Sequence, residues 1–184
     1  MEIITTGFEG LIIIKPTLFE DSRGYFYESY NFKVFNHHGI NQDFVQDNQS
    51  KSMQDVIRGL HYQLAPYAQT KLVRVLHGEI YDVAVDLRKS SPTFGKWYGI
   101  ELSGNNNIQL LIPRGFAHGF SVLSPEAVVM YKTDDYYCKE AERGIVYNDP
   151  MLDINWKTGN ADAIVSERDR QLPLFKNAEM NFIV

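Results

Sequence analysis

The segment Val56–Gln63 (VIRGLHYQ) places a cation and an imidazole among the residues of a strand. Its apolar positions suit a pleated, half-buried segment, where a guanidinium and an imidazole are costly unless something pairs with them. Strict alternation puts Arg58 and His61 on opposite faces, so the two can share a site only if the strand bends between them. Gly59 could supply this bend, because a glycine inside a strand often marks a bulge.

Other side chains with acid-base potential stand alone in the sequence, and each also has a purely structural explanation. Taken by itself, His61 is more often a hydrogen-bonded core histidine than a functional group. Tyr131 lies in an apolar strand, and its hydroxyl needs a partner if it is buried, but ten other tyrosines are present. His118 sits between two small residues, Ala117 and Gly119, which leave room for a ligand. Only the surrounding pattern can decide among these readings.

Composition indicates an ordinary globular protein. The 184 residues fit one domain, with 44% hydrophobic and 22% charged residues. The net charge of −5, without a block of Lys and Arg, argues against nucleic acid as a partner. The single cysteine, Cys138, excludes an internal disulfide and a multi-cysteine zinc site, and it indicates a reduced thiol in a cytoplasmic protein.

The beginning of the chain lacks the pattern of a signal peptide. It has no basic n-region, and its apolar run, Leu11–Ile14, is far too short for a signal core or a membrane span. We therefore expect a cytoplasmic protein that does not interact with membranes.

The clearest period-two pattern runs from residue 71 to residue 88 (KLVRVLHGEIYDVAVDLR). Lys71, Val73 and Val75 fall on one face of the first half, and the alternation resumes from Ile80. His77-Gly78 reads as the turn between the halves, so the pattern predicts a β-hairpin.

The rest of the chain shows short strands separated by Gly, Pro and Asn turns. At spacings of roughly ten residues, this arrangement is typical of a β-sandwich or barrel. We predict one mainly β domain over 1–184, with a helix at 32–38, a polar loop at 44–52 and a short tail helix at 161–166 or just after it. The remaining strands are predicted within 3–14 and at 25–30, 96–102, 108–112 and 127–133, with a further apolar segment at 116–123.

Six motifs occur in a specific order and spacing: DSRGYFYES (21–29), FVQDNQSKS (44–52), VIRGLHYQ (56–63), the long segment 71–97, IPRGFAHGF (112–120), and YKTDDYY with ERGIVYNDP between 131 and 150. Together they are highly specific, and through them the chain resembles the dTDP-4-dehydrorhamnose 3,5-epimerase family over nearly its whole length. The resemblance implies a double-stranded β-helix (cupin or jelly-roll) fold, a homodimer, and a reaction without cofactor or metal.

The residue types themselves also argue against a metal site. Cupin metal sites usually pair two histidines around one intervening residue, but the position two beyond His61 is Gln63, a poor ligand. The core strands offer no convincing set of three His or carboxylate ligands.

The resemblance assigns roles in an epimerisation next to a ketone, which requires a base, a stabilised enolate and an acid on the opposite face. It implies that His61 is the base, oriented by Asp169, and that Tyr131 is the acid. Lys71 matches the cation that stabilises enolate charge.

Further matching positions are expected to hold the nucleotide and the sugar. Arginine suits bidentate contacts with a pyrophosphate. The resemblance places Arg23 and Glu28 on a hairpin shared across the dimer. Tyr136 and Tyr137 are the candidates for stacking on thymine. The substrate-binding set is Arg23, Glu28, Gln46, Asp47, Asn48, Arg58, Lys71, His118, Glu142 and Arg168.

The expected substrate is dTDP-4-dehydro-6-deoxy-D-glucose, converted to dTDP-4-dehydro-L-rhamnose. The alternatives are an epimerase of the same scaffold that inverts one carbon only, a non-catalytic cupin that binds sugar nucleotides and, remotely, a metal-dependent oxygenase. Asp82 faces inward by alternation, and the sequence does not decide between a role behind the site and a salt-bridged core position.

Overall fold

The computed structural model describes residues 1–159 and 163–183, which fold mainly as β-structure. The helices are short: α1 (Phe32–His37), α2 (Glu167–Arg170) and 3₁₀ turns at Lys139–Ala141 and Phe175–Asn177. None of the helices in this part of the chain is long and apolar enough to cross a membrane. The strands are β1 (Glu2–Thr5), β2 (Ile12–Lys15), β3 (Phe19–Asp21), β4 (Gly24–Phe26), β5 (Gln46–Met53), β6 (Ile57–Gln63), β7 (Lys71–His77), β8 (Glu79–Asp86), β9 (Trp97–Ser103), β10 (Gln109–Ile112), β11 (Phe116–Val122), β12 (Glu126–Thr133) and β13 (Glu142–Gly144).

Two antiparallel sheets pack face to face. One has the order β1-β2-β10-β7-β12-β5 and the other β13-β6-β11-β8-β9, while β3 and β4 form a separate hairpin. Apolar side chains from both sheets, such as Val75 and Val129 from the first and Ile80 and Phe120 from the second, form one buried cluster between them. The predicted mainly β jelly-roll architecture is confirmed; the single domain over 1–184 stays a prediction.

The predicted hairpin over 71–87 is wrong in its pairing. Strands β7 and β8 both exist, but β7 pairs with β10 and β12, whereas β8 pairs with β11 and β9. The chain crosses from one sheet to the other at Gly78, where φ is +77° and a Cβ would lie 2.1 Å from the carbonyl oxygen of Glu126. Alternation identified the buried faces correctly, but it carries no information on which strand lies alongside.

The polar segment 44–52, predicted as a loop, instead contains strand β5, which pairs with β12 along its whole length. Its burial alternates, with Gln46, Asn48 and Ser50 half-buried and the residues between them exposed. The inward face of this edge strand is polar because it borders a cavity rather than the apolar core. A hydrophobic pattern was therefore absent, and the strand could not be recognised from periodicity.

Smaller differences concern the two ends of the chain. The strand predicted within 3–14 is two strands, β1 and β2, and the one predicted at 25–30 is only β4. The helix at 32–38 is confirmed as α1, with Asn31 as its N-cap. The tail helix begins just after the predicted range, at Glu167, and residues 160–162 of that region lie outside the described part.

The segment after β13 covers the outer face of the five-stranded sheet. Trp156, Val165 and Phe182 join the buried cluster formed there by outward-facing residues of β6, β8 and β11. The Tyr62 hydroxyl donates to the carbonyl of Glu179 at 2.6 Å. These contacts fix α2 beside β6. Asp169 of α2 thereby contacts β6, which lies more than one hundred positions earlier in the chain.

The bend expected at Gly59 is confirmed. Gly59 has φ +124°, and the β6–β11 register, which pairs His61 with His118, shifts by one residue before Arg58 pairs with Phe120. The extra residue in β6 brings Arg58 to the inner face that also carries His61.

Replacing Gly59 with Ala is expected to destabilise the fold strongly, because a Cβ there would lie 2.5 Å from the Cα of Gly119. Gly39, just after α1, is the control, since its φ is +80° and none of the described atoms lies within 4 Å of its added Cβ. Gly39→Ala should cost about 1–2 kcal/mol from backbone strain alone. Gly59→Ala should exceed that loss by about 2 kcal/mol in equilibrium denaturation, because backbone cannot move aside cheaply. Equal losses would show that the close approach to Gly119 is unimportant.

Candidate active site

A cavity of about 340 Å³ opens between the two sheets, beyond the apolar core. Both sheets contribute polar side chains to it. Eight of the residues predicted for the site line it, namely Gln46, Asn48, Arg58, His61, Lys71, His118, Tyr131 and Glu142.

The His61–Asp169 pair is present as expected from the resemblance. Nε2 of His61 lies 2.8 Å from Oδ1 of Asp169, and Oδ2 accepts the N–H of Gly59 at 3.3 Å. Asp169 is held in place as the third residue of α2, where its own N–H donates to the capping hydroxyl of Ser166. Burial raises the pKa of Asp169, but the hydrogen bond and charge of His61 outweigh it, and the net pKa is lowered. The ionised carboxylate therefore fixes the imidazole and leaves Nδ1 as the ring nitrogen that can act on a ligand.

A second His–Asp pair lies deeper in the same cavity. Asp82 is fully buried, and its two oxygens lie 2.9 and 3.1 Å from Nε2 of His118. This places Asp82 behind a residue that lines the cavity. Burial lowers the pKa of His118, although the Asp82 carboxylate opposes the shift. Asp82 thus orients His118 in much the same way as Asp169 orients His61.

The facing sheet supplies Tyr131 and Lys71. Ala127, Val129 and Tyr131 alternate on the inner face of β12, so the tyrosine follows directly from the apolar core. Its ring centroid is 5.8 Å from Nζ of Lys71 and 6.5 Å from the ring of His118. Burial raises the pKa of Tyr131, which keeps the phenol protonated, and burial lowers the pKa of Lys71 to about 8 despite Asp82.

The mouth of the cavity carries an ionic network. Glu142 lies 2.5 Å from Nη2 of Arg168 and accepts the Tyr137 hydroxyl at 2.7 Å. Burial raises the pKa of Glu142, but these two hydrogen bonds lower it by a larger amount. The net pKa is therefore lowered, and the carboxylate is ionised. The Arg168 side chain is 63% exposed and can turn toward a ligand.

Three predicted residues lie away from the cavity of their own chain. Asp47 points outward from β5 and pairs with Lys132 at 2.8 Å. Arg23 is 87% exposed on the β3–β4 hairpin beside Asp21, and Glu28 accepts a hydrogen bond from Asn31 at 3.0 Å. Their assignment to substrate binding stays a prediction.

The cavity also contains residues that sequence reasoning missed. Alternation places Gln63 on the same face of β6 as His61, but the sequence assigns it no role beyond being a poor metal ligand. Phe120 stands in the same relation to His118 on β11. Gln49, Ser50, Tyr62 and Gln69, which also line the cavity, carried no such signal. Of the two tyrosines considered for stacking, Tyr137 lines the cavity. Among the described residues, no group of three or more His, Cys, Asp or Glu side chains converges as a metal site would require.

An imidazole held by a carboxylate and a protonated phenol line one cavity from facing sheets, with a half-buried lysine beside the phenol. The fold and the site are therefore those of a jelly-roll protein equipped for proton transfer at a carbon beside a carbonyl.

Comparisons with known proteins agree with this class. A family model described as dTDP-4-dehydrorhamnose 3,5-epimerase matches residues 5–177. The dTDP-4-dehydrorhamnose 3,5-epimerase of Shigella flexneri is 52% identical over 180 residues, covering 97% of this chain and 98% of the relative. The chain belongs to the dTDP-4-dehydrorhamnose 3,5-epimerase family.

Solved structures also match this chain over nearly its whole length, among them two with bound ligands. The dTDP-4-dehydrorhamnose 3,5-epimerase of Bacillus anthracis, with TDP and PPi bound, has a TM-score of 0.91 and 50% identity, and the match covers 94% of this chain and 98% of that one. The dTDP-6-deoxy-D-glucose-3,5-epimerase RmlC of Legionella pneumophila, in complex with dTDP-4-keto-L-rhamnose, has a TM-score of 0.91 and 49% identity, with coverage of 96% and 93%.

The lowered pKa of Lys71 predicts a stability effect with a defined pH window. Between pH 8 and 10.5 Lys71 is protonated in the unfolded chain but not in the folded chain. The free energy of unfolding of the wild type therefore increases with pH in this window. Below pH 8 both states are protonated, and the folded state bears the full cost of burying the charge. We expect Lys71→Met to be more stable than wild type at pH 7, with the difference shrinking from pH 8 to 10.5.

The measurement is chemical denaturation at several pH values, with the exposed Lys89 mutated to Met as control. The control should show no such change across this window. A stability difference for Lys71→Met that does not vary with pH would contradict the lowered pKa of Lys71.

Proposed function

We propose that this protein inverts C3 and C5 of dTDP-4-dehydro-6-deoxy-α-D-glucose, giving dTDP-4-dehydro-β-L-rhamnose. The observation that carries the proposal is the placement of the His61–Asp169 pair and of Tyr131 on facing sheets of one cavity. Its family relatives are epimerases of this name, so the activity is an isomerisation.

The proposed chemistry uses the acidity of carbons next to a ketone. His61 takes the proton from C3 or C5 through Nδ1, and the electron pair of the broken C–H bond moves onto the C4 oxygen as an enolate. Tyr131 then returns a proton to the carbon from the opposite face. Its phenolate recovers a proton from solvent, and the His61 imidazolium releases to solvent the proton that it took. Inversion follows because the base and the acid belong to opposite walls.

The enolate oxygen needs positive charge or hydrogen-bond donors in a site from which water is excluded. Lys71 and His118 both line the cavity beside Tyr131, and buried Asp82 lies behind His118. We assign the C4 oxygen to Lys71 and His118, with Asp82 fixing the imidazole. This chemistry needs an acid, a base and a cation from the chain, and we propose that it proceeds without cofactor or metal.

The mouth of the cavity would hold the nucleotide. Arg58 and Arg168 offer guanidinium groups for the pyrophosphate. Gln46 and Asn48 offer amide groups on the wall formed by β5, while Tyr137 offers an aromatic face for the base. Glu142 keeps Arg168 and Tyr137 in place.

We further propose a homodimer in which the β3–β4 hairpin completes the cavity of the partner. The hairpin is paired only with itself among the described strands, and Phe19, Tyr25 and Phe26 on it are 64%, 55% and 66% exposed. Exposed aromatics in such a group favour an interface. In this arrangement Arg23 and Glu28, which lie away from their own cavity, would bind substrate in the other subunit.

A cytoplasmic location is part of the same proposal. Its support is the single cysteine, Cys138, which is free and half-buried and therefore suits a reducing compartment.

Proton exchange in heavy water tests the chemistry directly. With purified protein and the keto sugar, proton NMR should show deuterium entering both C3 and C5. His61→Asn should reduce exchange and turnover by about 10²–10⁴-fold, because no other group in the cavity is placed as the base. Tyr131→Phe should retain exchange from the His61 face and lose inversion.

The control for Tyr131→Phe is Tyr81→Phe, since Tyr81 is also buried but packs on the outer face of its sheet. It should turn over like wild type. Exchange at one carbon only would indicate a single-centre epimerase. Tight binding without exchange would indicate a sugar-nucleotide-binding protein, and an unchanged product ratio for Tyr131→Phe would remove that residue from the mechanism.

Mixed dimers test the shared site. Arg23→Ala and His61→Ala should each be nearly inactive, but a heterodimer of the two has one cavity with both native residues. Random mixing at equal amounts should therefore restore about a quarter of the wild-type sites. Mixing His61→Ala with Asp169→Asn, both in the same cavity wall of one chain, is the control. In a heterodimer of these two variants each cavity lacks one member of the pair, because His61 and Asp169 of a cavity come from the same chain. We therefore expect no recovery of activity from this mixture.

A further inference from the structure

The segment Asp135–Cys138 forms the wall of the cavity that carries Tyr137. It lies between the end of β12 and the 3₁₀ turn at Lys139, without regular secondary structure. Three glutamine side chains, Gln46, Gln63 and Gln69, hydrogen-bond its backbone, and we name these three the glutamine clamp.

Gln63 makes the most contacts of the clamp. Its Nε2 donates to the carbonyl oxygens of Tyr136 at 3.2 Å and Tyr67 at 2.7 Å. Its Oε1 accepts the N–H of Cys138 at 2.7 Å. The residue is only 6% exposed, so these bonds are made away from water, where an unpaired amide is costly.

The other two glutamines bind the same segment from different directions. Nε2 of Gln69 donates to the carbonyl of Asp135 at 2.8 Å. Oε1 of Gln46 accepts the N–H of Tyr137 at 3.2 Å. Since Gln46 belongs to β5 and Gln63 to β6, the clamp ties the segment to both sheets.

Apolar packing holds this wall only at its end, where Cys138 packs against the cluster on the outer face of the five-stranded sheet. Tyr136 and Tyr137 are 65% and 54% exposed, and neither belongs to the three apolar clusters found among the described residues. Beyond the clamp, the side chain of Tyr137 is anchored by the hydrogen bond from its hydroxyl to Glu142. The position of the ring is therefore set by hydrogen bonds to the backbone on either side of it.

We infer that the glutamine clamp positions Tyr137 as the surface on which the nucleotide base stacks, and so determines the affinity for the base. This inference rests on the proposed function and deepens it. Gln63 and Gln69 act here as positioning residues: they move no proton, and they act on the ligand through Tyr137. Gln63 also follows His61 by two residues on β6, so the strand that carries the base of the reaction also fixes the nucleotide end of the cavity.

The test is Gln63→Glu, which preserves shape and the acceptor for Cys138 but removes both donors. A carboxylate would then face two carbonyl oxygens, and the segment must shift. The dissociation constant for dTDP, measured by calorimetry, should rise about tenfold, within the range of one lost base–aromatic stack. Inorganic pyrophosphate, which lacks the base, should bind within about twofold of wild type, and KM for the keto sugar should rise by a larger factor than kcat falls.

The matched control is Gln54→Glu. Gln54 also donates its amide to a backbone carbonyl, that of Leu123, but it is exposed and lies outside the cavity. It should bind dTDP like wild type. Because Gln63 is buried, Gln69→Met serves as a second variant that removes one bond at a half-buried position, and it should weaken dTDP in the same direction.

Coupling separates the clamp from a general loss of structure. If Gln63 acts through Tyr137, the effects of Gln63→Glu and Tyr137→Leu on dTDP binding should be far from additive. Additive effects, equal weakening of pyrophosphate, or wild-type dTDP binding by both glutamine variants would overturn the inference. A wild-type protein that fails to exchange deuterium into the keto sugar would instead overturn the proposed function.

Discussion

The close approach of two glycines, Gly59 on β6 and Gly119 on β11, is the constraint on which the site depends. The backbones come so near that neither position has room for a side chain, and the extra residue of β6 is accommodated there. The bulge turns Arg58 to the inner face with His61, and the N–H of Gly59 donates to Asp169. One local irregularity therefore brings together a cation, an imidazole and the carboxylate that orients it.

The interior of the sandwich is divided between an apolar core and a polar cavity, and the same strands serve both. Along β12 the inward positions change from Ala127 and Val129 to Tyr131, and along β7 they change from Val75 and Val73 to Lys71. The apolar part provides the rigidity that holds the functional side chains against it. The polar part contains charges that are costly to bury, which is why each cavity histidine has its own carboxylate.

The two carboxylates act at different depths. Asp169 reaches His61 from the tail of the chain, held by α2 and by the packing of the C-terminal segment on the outer face of the sheet. Asp82 lies inside the sandwich on β8 and is fully buried next to His118. The His61–Asp169 pair at the cavity wall thus depends on the docking of the C-terminal segment, whereas the deeper His118–Asp82 pair is part of the sheet itself.

The sequence by itself determined the β architecture, the buried faces of most strands, the bend at Gly59 and, through family resemblance, half of the residues that line the cavity. These features are local, because side-chain alternation, turn residues and motif spacing can be read within a few positions. Only the tertiary structure decided that β7 and β8 belong to different sheets, that the polar segment with Gln46 is a strand, and that Asp82 supports His118. It also showed that Gln63 and Gln69 hold the wall of Tyr137. Each of these depends on which distant segment lies alongside, and neither hydrophobic periodicity nor residue type carries that information.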